Sequence, residues 1–232
     1  MEIRQFRYSA DNFSYMLYGK ADALVIDGGA VNAIISFAEA HDLEIRYVTN
    51  THSHPDHTMG TQALLERTGA TYLDNSTLLR NGIIKLEDEE IRVYHTPGHT
   101  KDSLCFRAGN ALISGDTLFN GTIGNCFSGD LDAFLTSLKM LLDSPENTIV
   151  YAGHDYVRES MMFAKILEPD SREIDLFLQK YDPGHVCSTF ADELRVNPYL
   201  RFNEEKMIAV LEKKRLPVGT EKERWHSLMS VG

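Results

Sequence analysis

The sequence predicts an α/β body followed by a small helical domain, and three observations carry that expectation. Short β-branched runs alternate with helical stretches as far as His154, which is the texture of an α/β domain. Each run stops at a polar or Gly-rich turn. Beyond His154 strand-like sequence almost disappears and helix-like sequence takes over. A chain of 232 residues is long enough for one such domain with an appendage.

Taken in order, Ala23–Ile26 ends at Asp27-Gly28-Gly29, and Ile45–Val48 ends at Thr49-Asn50-Thr51-His52. Ile91–Tyr94 ends at His95-Thr96-Pro97-Gly98-His99, and Ala111–Ile113 at Ser114-Gly115-Asp116. Thr148–Tyr151 ends at Ala152-Gly153-His154. All five are strand-length and rich in Val, Ile and Tyr. Leu131, Phe134, Leu135, Leu138, Leu141 and Leu142 repeat at helical spacing behind a cap at Asp130, with Pro145 past the end. Ala33 to His41 and Ala63 to Arg67 are further helix candidates, and Glu87-Asp88-Glu89-Glu90 reads as a solvated turn. Ser160–Leu167, Glu173–Lys180, Glu204–Lys214 and Glu221–Met229 make up the helical tail. The expected division is an α/β domain over residues 1–157 and a small helical domain over 158–232.

With 34 acidic and 23 basic side chains the formal charge is −11, which argues against a nucleic-acid binder. No apolar run approaches the ~20 residues that cross a bilayer, so no membrane partner is expected. Met1 to Arg7 lacks the pattern of a secretory signal. Cys105, Cys126 and Cys187 form no CxxC, suit a reducing, cytoplasmic compartment and are expected to be small buried hydrophobes. Residues 201–232 carry seven basic and five acidic side chains, a mildly basic tail on an acidic body.

The chemistry concentrates in Thr51-His52-Ser53-His54-Pro55-Asp56-His57, three His and one Asp within six positions. Imidazole with carboxylate is the usual donor set for zinc and other borderline metals. Pro55 disfavours helix at His54, which places these ligands on a loop, with a helix starting near Thr58. His99, Asp116 and His154 each also fall just past the carboxyl end of a predicted strand, where α/β sheets collect their ligands. If the strands lie side by side, seven donors converge. One bridging carboxylate then gives four bonds to each of two ions, a pair that holds a hydroxide and polarises a carbonyl. No GxSxG, SxxK, Gly-rich phosphate loop or GxGxxG competes with that reading.

His52-Ser53-His54-Pro55-Asp56-His57 resembles the HxHxDH signature of the metallo-β-lactamase-like hydrolase superfamily. Asp27, Pro97-Gly98-His99, Gly115-Asp116-Thr117-Leu118-Phe119 and Gly153-His154 match its other motifs in order. The resemblance implies an αββα metallo-β-lactamase-like sandwich with the dinuclear site at one edge. Tyr151 to Tyr156, Leu167 to Asp170, Ser188-Thr189, Glu193 and Asn197 to Arg201 are similar to glyoxalase II (hydroxyacylglutathione hydrolase), whose hallmark is a small C-terminal helical domain. That resemblance implies His52, His54 and His99 on a first metal, Asp56, His57 and His154 on a second, and Asp116 bridging them. It further implies attack of the bridging hydroxide on a thioester such as S-lactoylglutathione, with Asp56 taking the proton. The ions are expected to be zinc, with iron or manganese as alternatives. Asp27 either orients a His ligand or caps the turn at Gly28-Gly29.

Departures from the family bear on the substrate. Asn125 stands where a Lys or Arg commonly contacts glutathione, and Phe127 where an aromatic, often Tyr, is found. Near the C-terminus the family's Arg is replaced by Gly219, while its Lys is kept as Lys222, with Arg224 as a possible substitute. Tyr156, expected to hydrogen-bond the thiol carrier, is present. The alternatives are a thioesterase or lactonase with another carrier, and a metal-dependent sensor without turnover.

Overall fold

The computed structural model describes residues 1–231. Its elements are β1 (Glu2–Tyr8), β2 (Asn12–Tyr18), β3 (Asp22–Ile26), α1 (Val31–Ala40), β4 (Glu44–Thr49), α2 (Pro55–Thr58), α3 (Thr61–Thr68) and β5 (Thr71–Tyr72). Next come α4 (Asn75–Asn81), β6 (Ile83–Leu86), β7 (Glu89–His95), β8 (Leu104–Ala108), β9 (Ala111–Gly115), β10 (Leu118–Phe119), β11 (Thr122–Ile123) and α5 (Leu131–Leu142). The chain continues with β12 (Ile149–Ala152), α6 (Val157–Leu167), α7 (Arg172–Lys180), β13 (Ser188–Thr189), α8 (Phe190–Val196), α9 (Glu205–Lys213) and α10 (Glu221–Met229).

Period-two alternation along the central strands sets the layers. In β3, Leu24 and Ile26 point into the cluster between the two sheets, while Ala23 and Val25 point out to α1 and α3. In β9, Ala111 and Ile113 face the inter-sheet cluster and Leu112 faces α5. One sheet runs β1-β2-β3-β4-β5 and the other β13-β12-β9-β8-β7-β6. Helix, sheet, sheet and helix stack around three apolar clusters, which is the expected αββα sandwich.

The helices after residue 157 share their cores with the sheets. Val157, Met161, Ala164, Ile174 and Phe177 join the inter-sheet cluster, and Met207, Leu211, Trp225 and Leu228 join the α5 cluster. β13 also extends the second sheet by pairing with β12.

Several elements escape the sequence pattern. β1 is an edge strand with exposed Glu2, Arg4 and Arg7, the charged edge that discourages further pairing and also hides the strand. β2 buries Asn12 and Ser14, residue types that read as turn formers. A helix begins at Pro55 rather than near Thr58: His54 is extended (φ −63°, ψ 142°) and Pro55 occupies the first helical position, where its missing N–H costs nothing. Asp56 and His57 therefore lie on a helical turn, not a loop. Glu87 is more than a solvated charge, since its carboxylate accepts from the N–H groups of Lys20, Ala21 and Asp22. Only Cys105 is a buried hydrophobe; Cys126 is half-buried and Cys187 exposed, and all three are free thiols.

Two buried side chains tie the later helices to the body. Trp225 packs on Phe134, Tyr199 and Phe202 and donates its indole N–H to Leu131 O at 2.7 Å. Trp225→Ala is expected to cost about 3–5 kcal/mol in urea unfolding, the usual loss for a buried aromatic. Glu193 accepts from Gly121 N–H at 2.9 Å, from Ser188 at 2.6 Å and from Asn197 at 2.9 Å, joining α8 to the β10–β11 turn. Burial pushes its carboxyl up to about 7 from an ordinary 4.5, against the pull of those donors. As pH rises through that window the unfolded chain releases this proton before the folded one, so stability falls, by on the order of 3 kcal/mol. Unfolding free energies between pH 4.5 and 7 should show that decline in the native chain and a flatter profile in Glu193→Gln.

Candidate metal centre

The site forms where the two sheets meet along one edge. His52 and His54 follow β4 of the first sheet, and α2 supplies Asp56 and His57. His99, Asp116 and His154 follow β7, β9 and β12 of the second. The strands are thus divided between facing sheets rather than lying side by side, and their carboxyl ends still converge.

The seven predicted donors fall into two groups, each with its donor atoms within 4.8 Å of one another: His52, His54, His99 and Asp116, and then Asp56, His57 and His154. In the first group His54 Nδ1 lies 2.9 Å from His52 Nε2 and 3.0 Å from His99 Nε2. Asp116 Oδ2 lies 3.4 Å from His99 Nε2. In the second, His57 Nε2 and His154 Nε2 are 3.1 Å apart, and Asp56 Oδ2 is 3.6 and 3.3 Å from them. Asp116 reaches this group as well, with Oδ1 3.4 Å from His57 Nε2 and Oδ2 3.4 Å from His154 Nε2. Such separations match the ~3.3 Å edge of a tetrahedron with metal–nitrogen bonds of ~2.0–2.1 Å.

The outer partners of the rings fix which nitrogens carry protons. His57 Nδ1 donates to Asp27 Oδ2 at 2.9 Å, His99 Nδ1 to Asn125 O at 2.9 Å, and His154 Nδ1 to Asp11 Oδ1 at 3.0 Å. Thr51 Oγ1 gives its own proton to Asp27 Oδ2 and so accepts from His52 Nδ1 at 2.9 Å. With Nδ1 engaged on the outside, each of these rings turns Nε2 to the centre. Ring nitrogens this close repel unless a proton or a metal ion lies between them. Asp116 Oδ1 is in addition buried with no hydrogen-bond partner. Both features fit bound cations.

The electrostatics agree. Burial opposes charge on Asp116, but the His154 and His57 rings outweigh it and hold the carboxyl well below the usual range. Burial drives His52 down to about 4. Burial also acts to lower His57, yet Asp27 and Asp116 lift it to about 11. The two groups thus differ: burial disfavours a proton on His52, whereas the neighbouring carboxylates favour one on His57.

Asp27 resolves in favour of orienting His57 directly and His52 through Thr51. Buried and with φ 54°, a conformation Asp tolerates, it accepts from His57 and from both the N–H and hydroxyl of Thr51. Asn125 contributes its backbone carbonyl to His99, while its side chain is exposed. Phe127, 66% exposed, sets its ring 5.5 Å from that of His54 and 5.2 Å from that of His99. Tyr156 stacks on His154 at 5.0 Å, and burial pushes its phenol up to about 12. Lys222 pairs with Asp132, which also meets His226 at 3.2 Å. Arg224 is held by Asn203 and Val218 O, away from Lys222 across α10. Sequence patterns gave no sign of Tyr8, Asp11 and Asn12: Asp-Asn reads as an ordinary turn, and the flanking strands were themselves obscure.

Two facing sheets carrying these donor groups define a metallo-β-lactamase-type hydrolase, and the Metallo-beta-lactamase superfamily pattern matches residues 10–82 and 72–154. Within that superfamily the chain belongs to the hydroxyacylglutathione hydrolase family. It is 32% identical over 226 residues to hydroxyacylglutathione hydrolase of Anaeromyxobacter dehalogenans, covering 88% of both chains. To that of Pelagibacter ubique it is 31% identical over 233 residues, covering 91% of this chain and 97% of the relative. Among solved structures, ETHE1 from Myxococcus xanthus superposes with a TM-score of 0.70 at 26% identity, covering 94% of this chain and 92% of that one. The BLEG-1 B3 metallo-beta-lactamase shares the fold, with a TM-score of 0.64 at 22% identity over 86% of this chain and 99% of that one. No described helix is long and apolar enough to cross a membrane.

Close backbone approach is built into the site. A Cβ on Gly153 would lie 2.1 Å from Asp116 Oδ1 and 2.9 Å from His57 Cε1. Gly153→Ala is therefore expected to displace Asp116. Bound metal per folded chain, measured by elemental analysis, should fall; unchanged metal content would contradict the packing described.

Proposed function

We propose that the chain is a dinuclear metal-dependent thioester hydrolase that cleaves an S-2-hydroxyacyl thioester such as S-lactoylglutathione to a 2-hydroxy acid and a free thiol. The observation that carries this reading is the pair of donor groups with inward ring nitrogens on either side of the buried Asp116 carboxylate. His52, His54 and His99 would hold one ion, Asp56, His57 and His154 the other, and Asp116 both. Zinc suits these donors, as do iron and manganese. When bound, the ions would supply Lewis acidity and a water acidified towards neutral pH.

The remaining roles belong to the chain's own side chains. Asp27, Thr51, Asp11 and Asn125 O keep the imidazoles aimed inward. Burial acts to raise Asp56, but the Asn12 hydrogen bond and the His57 and His154 charges outweigh it and lower its pKa. Asp56 is therefore a ready ligand and a weak base, a proton acceptor only in passing. A thiolate leaves without protonation, so no dedicated acid is required. Tyr156, with its phenol protonated at neutral pH, can donate to the carrier, and Phe127 offers an apolar wall at the mouth. Lys222 and the helical segment 158–232 would contribute to carrier binding. The three free thiols fit a reducing cytoplasm.

A carrier other than glutathione is the second reading, favoured by the Lys222–Asp132 pair. A carrier carboxylate must displace Asp132 to reach that ammonium, and Asn125 adds no charge. Rates on S-lactoylglutathione beside lactoyl thioesters of other thiols, with metal counted in the same sample, test both readings. The expected result is close to two ions per chain, hydrolysis abolished by chelation, and preference for the glutathione thioester. Asp116→Asn should lower kcat/KM by more than the ~10–100-fold typical of losing an outer partner alone. One ion or none, with no metal-dependent thioester cleavage, overturns the proposal. Faster cleavage of another thiol's thioester would favour the second reading, and equal rates on every thiol would count against a dedicated carrier pocket.

A further inference from the structure

The two donor groups differ in what holds them. Around the first, His52 leans on Thr51 and His99 on Asn125 O, both in loops that follow strands. Around the second, a cluster of contacts comes from the tip of the β1–β2 hairpin. Tyr8 Oη donates to Asp56 O at 2.8 Å, Asn12 Nδ2 donates to Asp56 Oδ2 at 2.8 Å, and Asp11 Oδ1 accepts from His154 Nδ1 at 3.0 Å. An ionised carboxylate only accepts, so the Asn12 amide must present its nitrogen there. The backbones are locked together too: Phe13 N–H bonds Gly153 O and Asp155 N–H bonds Asp11 O, both at 2.9 Å, and Asn12 bridges His154. Asp27 serves both groups, through His57 and through Thr51.

From this asymmetry we infer that Tyr8, Asp11 and Asn12 are positioning residues for the second metal alone, clipping Asp56 on the first sheet to His154 on the second. The inference rests on the dinuclear reading proposed above. Asn12 is 5% exposed, and its Nδ2 lies 3.4 Å from His154 Nε2, so the amide adjoins the place the second ion would take. Removing it leaves one oxygen of Asp56 free to turn away. Removing the Asp11 carboxylate frees the His154 ring to rotate and exchange tautomers. Neither change touches an outer partner of His52, His54 or His99.

Zinc affinity measured by competition with a chromophoric chelator tests this. In Asn12→Ala and Asp11→Ala, one of the two zinc ions should bind about 10–100-fold more weakly while the other is unchanged. Asp11→Asn, which keeps an oxygen acceptor for His154, should recover most of the loss. Asp27→Ala should weaken both ions. A double-mutant cycle assigns the site: Asn12→Ala should have no further effect on the ion left in His154→Ala, and should weaken the ion left in His52→Ala. Thermal unfolding of each apo-protein checks the fold, and Tyr8→Phe, which removes only a hydroxyl, repeats the test if Asn12→Ala does not fold. Equal weakening of both ions, or of neither, overturns the inference. A single zinc in the unaltered chain overturns the dinuclear reading instead.

Discussion

Ring nitrogens and a buried carboxylate crowded against one another are the constraint around which this molecule is organised. Four imidazoles have their Nδ1 hydrogens engaged on the outside, and a carboxylate oxygen lies buried among them without a donor. That arrangement needs protons or metal ions between its members, so the protein must hold it in place by packing. The three apolar clusters do this, fixing the strand ends from which the ligand loops depart. A site on rigid strand ends keeps its geometry better than one on free loops.

The network behind the seven donor residues is as specific as the donors themselves. Asp27 can reach both His57 and Thr51 only because the chain turns left-handed there, and buried glycines let backbone crowd Asp116. The C-terminal helices belong to the same construction. Trp225 bonds Leu131 O at the start of α5, just after the loop whose Asn125 carbonyl orients His99.

What the sequence made legible was what depends on residue type. Three His and an Asp in six positions, and His99, Asp116 and His154 past strand ends, announce themselves because few other roles need those side chains there. Strands with β-branched runs were readable for a similar reason. β1 and β2 were not, because a charged edge and buried Asn and Ser contradict the usual patterns. Asn125 was singled out for its side chain, whereas its carbonyl faces His99, and a backbone acceptor has no residue signature. The Lys222–Asp132 pair is purely tertiary, invisible until α10 is laid against α5. Asp27 sits between these extremes: its position was legible, and only the fold could choose between its two roles.

The span of these contacts has a consequence for how the protein matures. Asn12 meets His154 across 142 residues of chain. The donors of the first group are all present once synthesis has passed Asp116, but the second group waits for His154 and for the hairpin to close onto it. Chains emerge and compact from the amino end. Assembly of the centre is therefore ordered in time: the first group can form once the strands up to β9 have brought the two sheets together, and the second only after β12 has joined them.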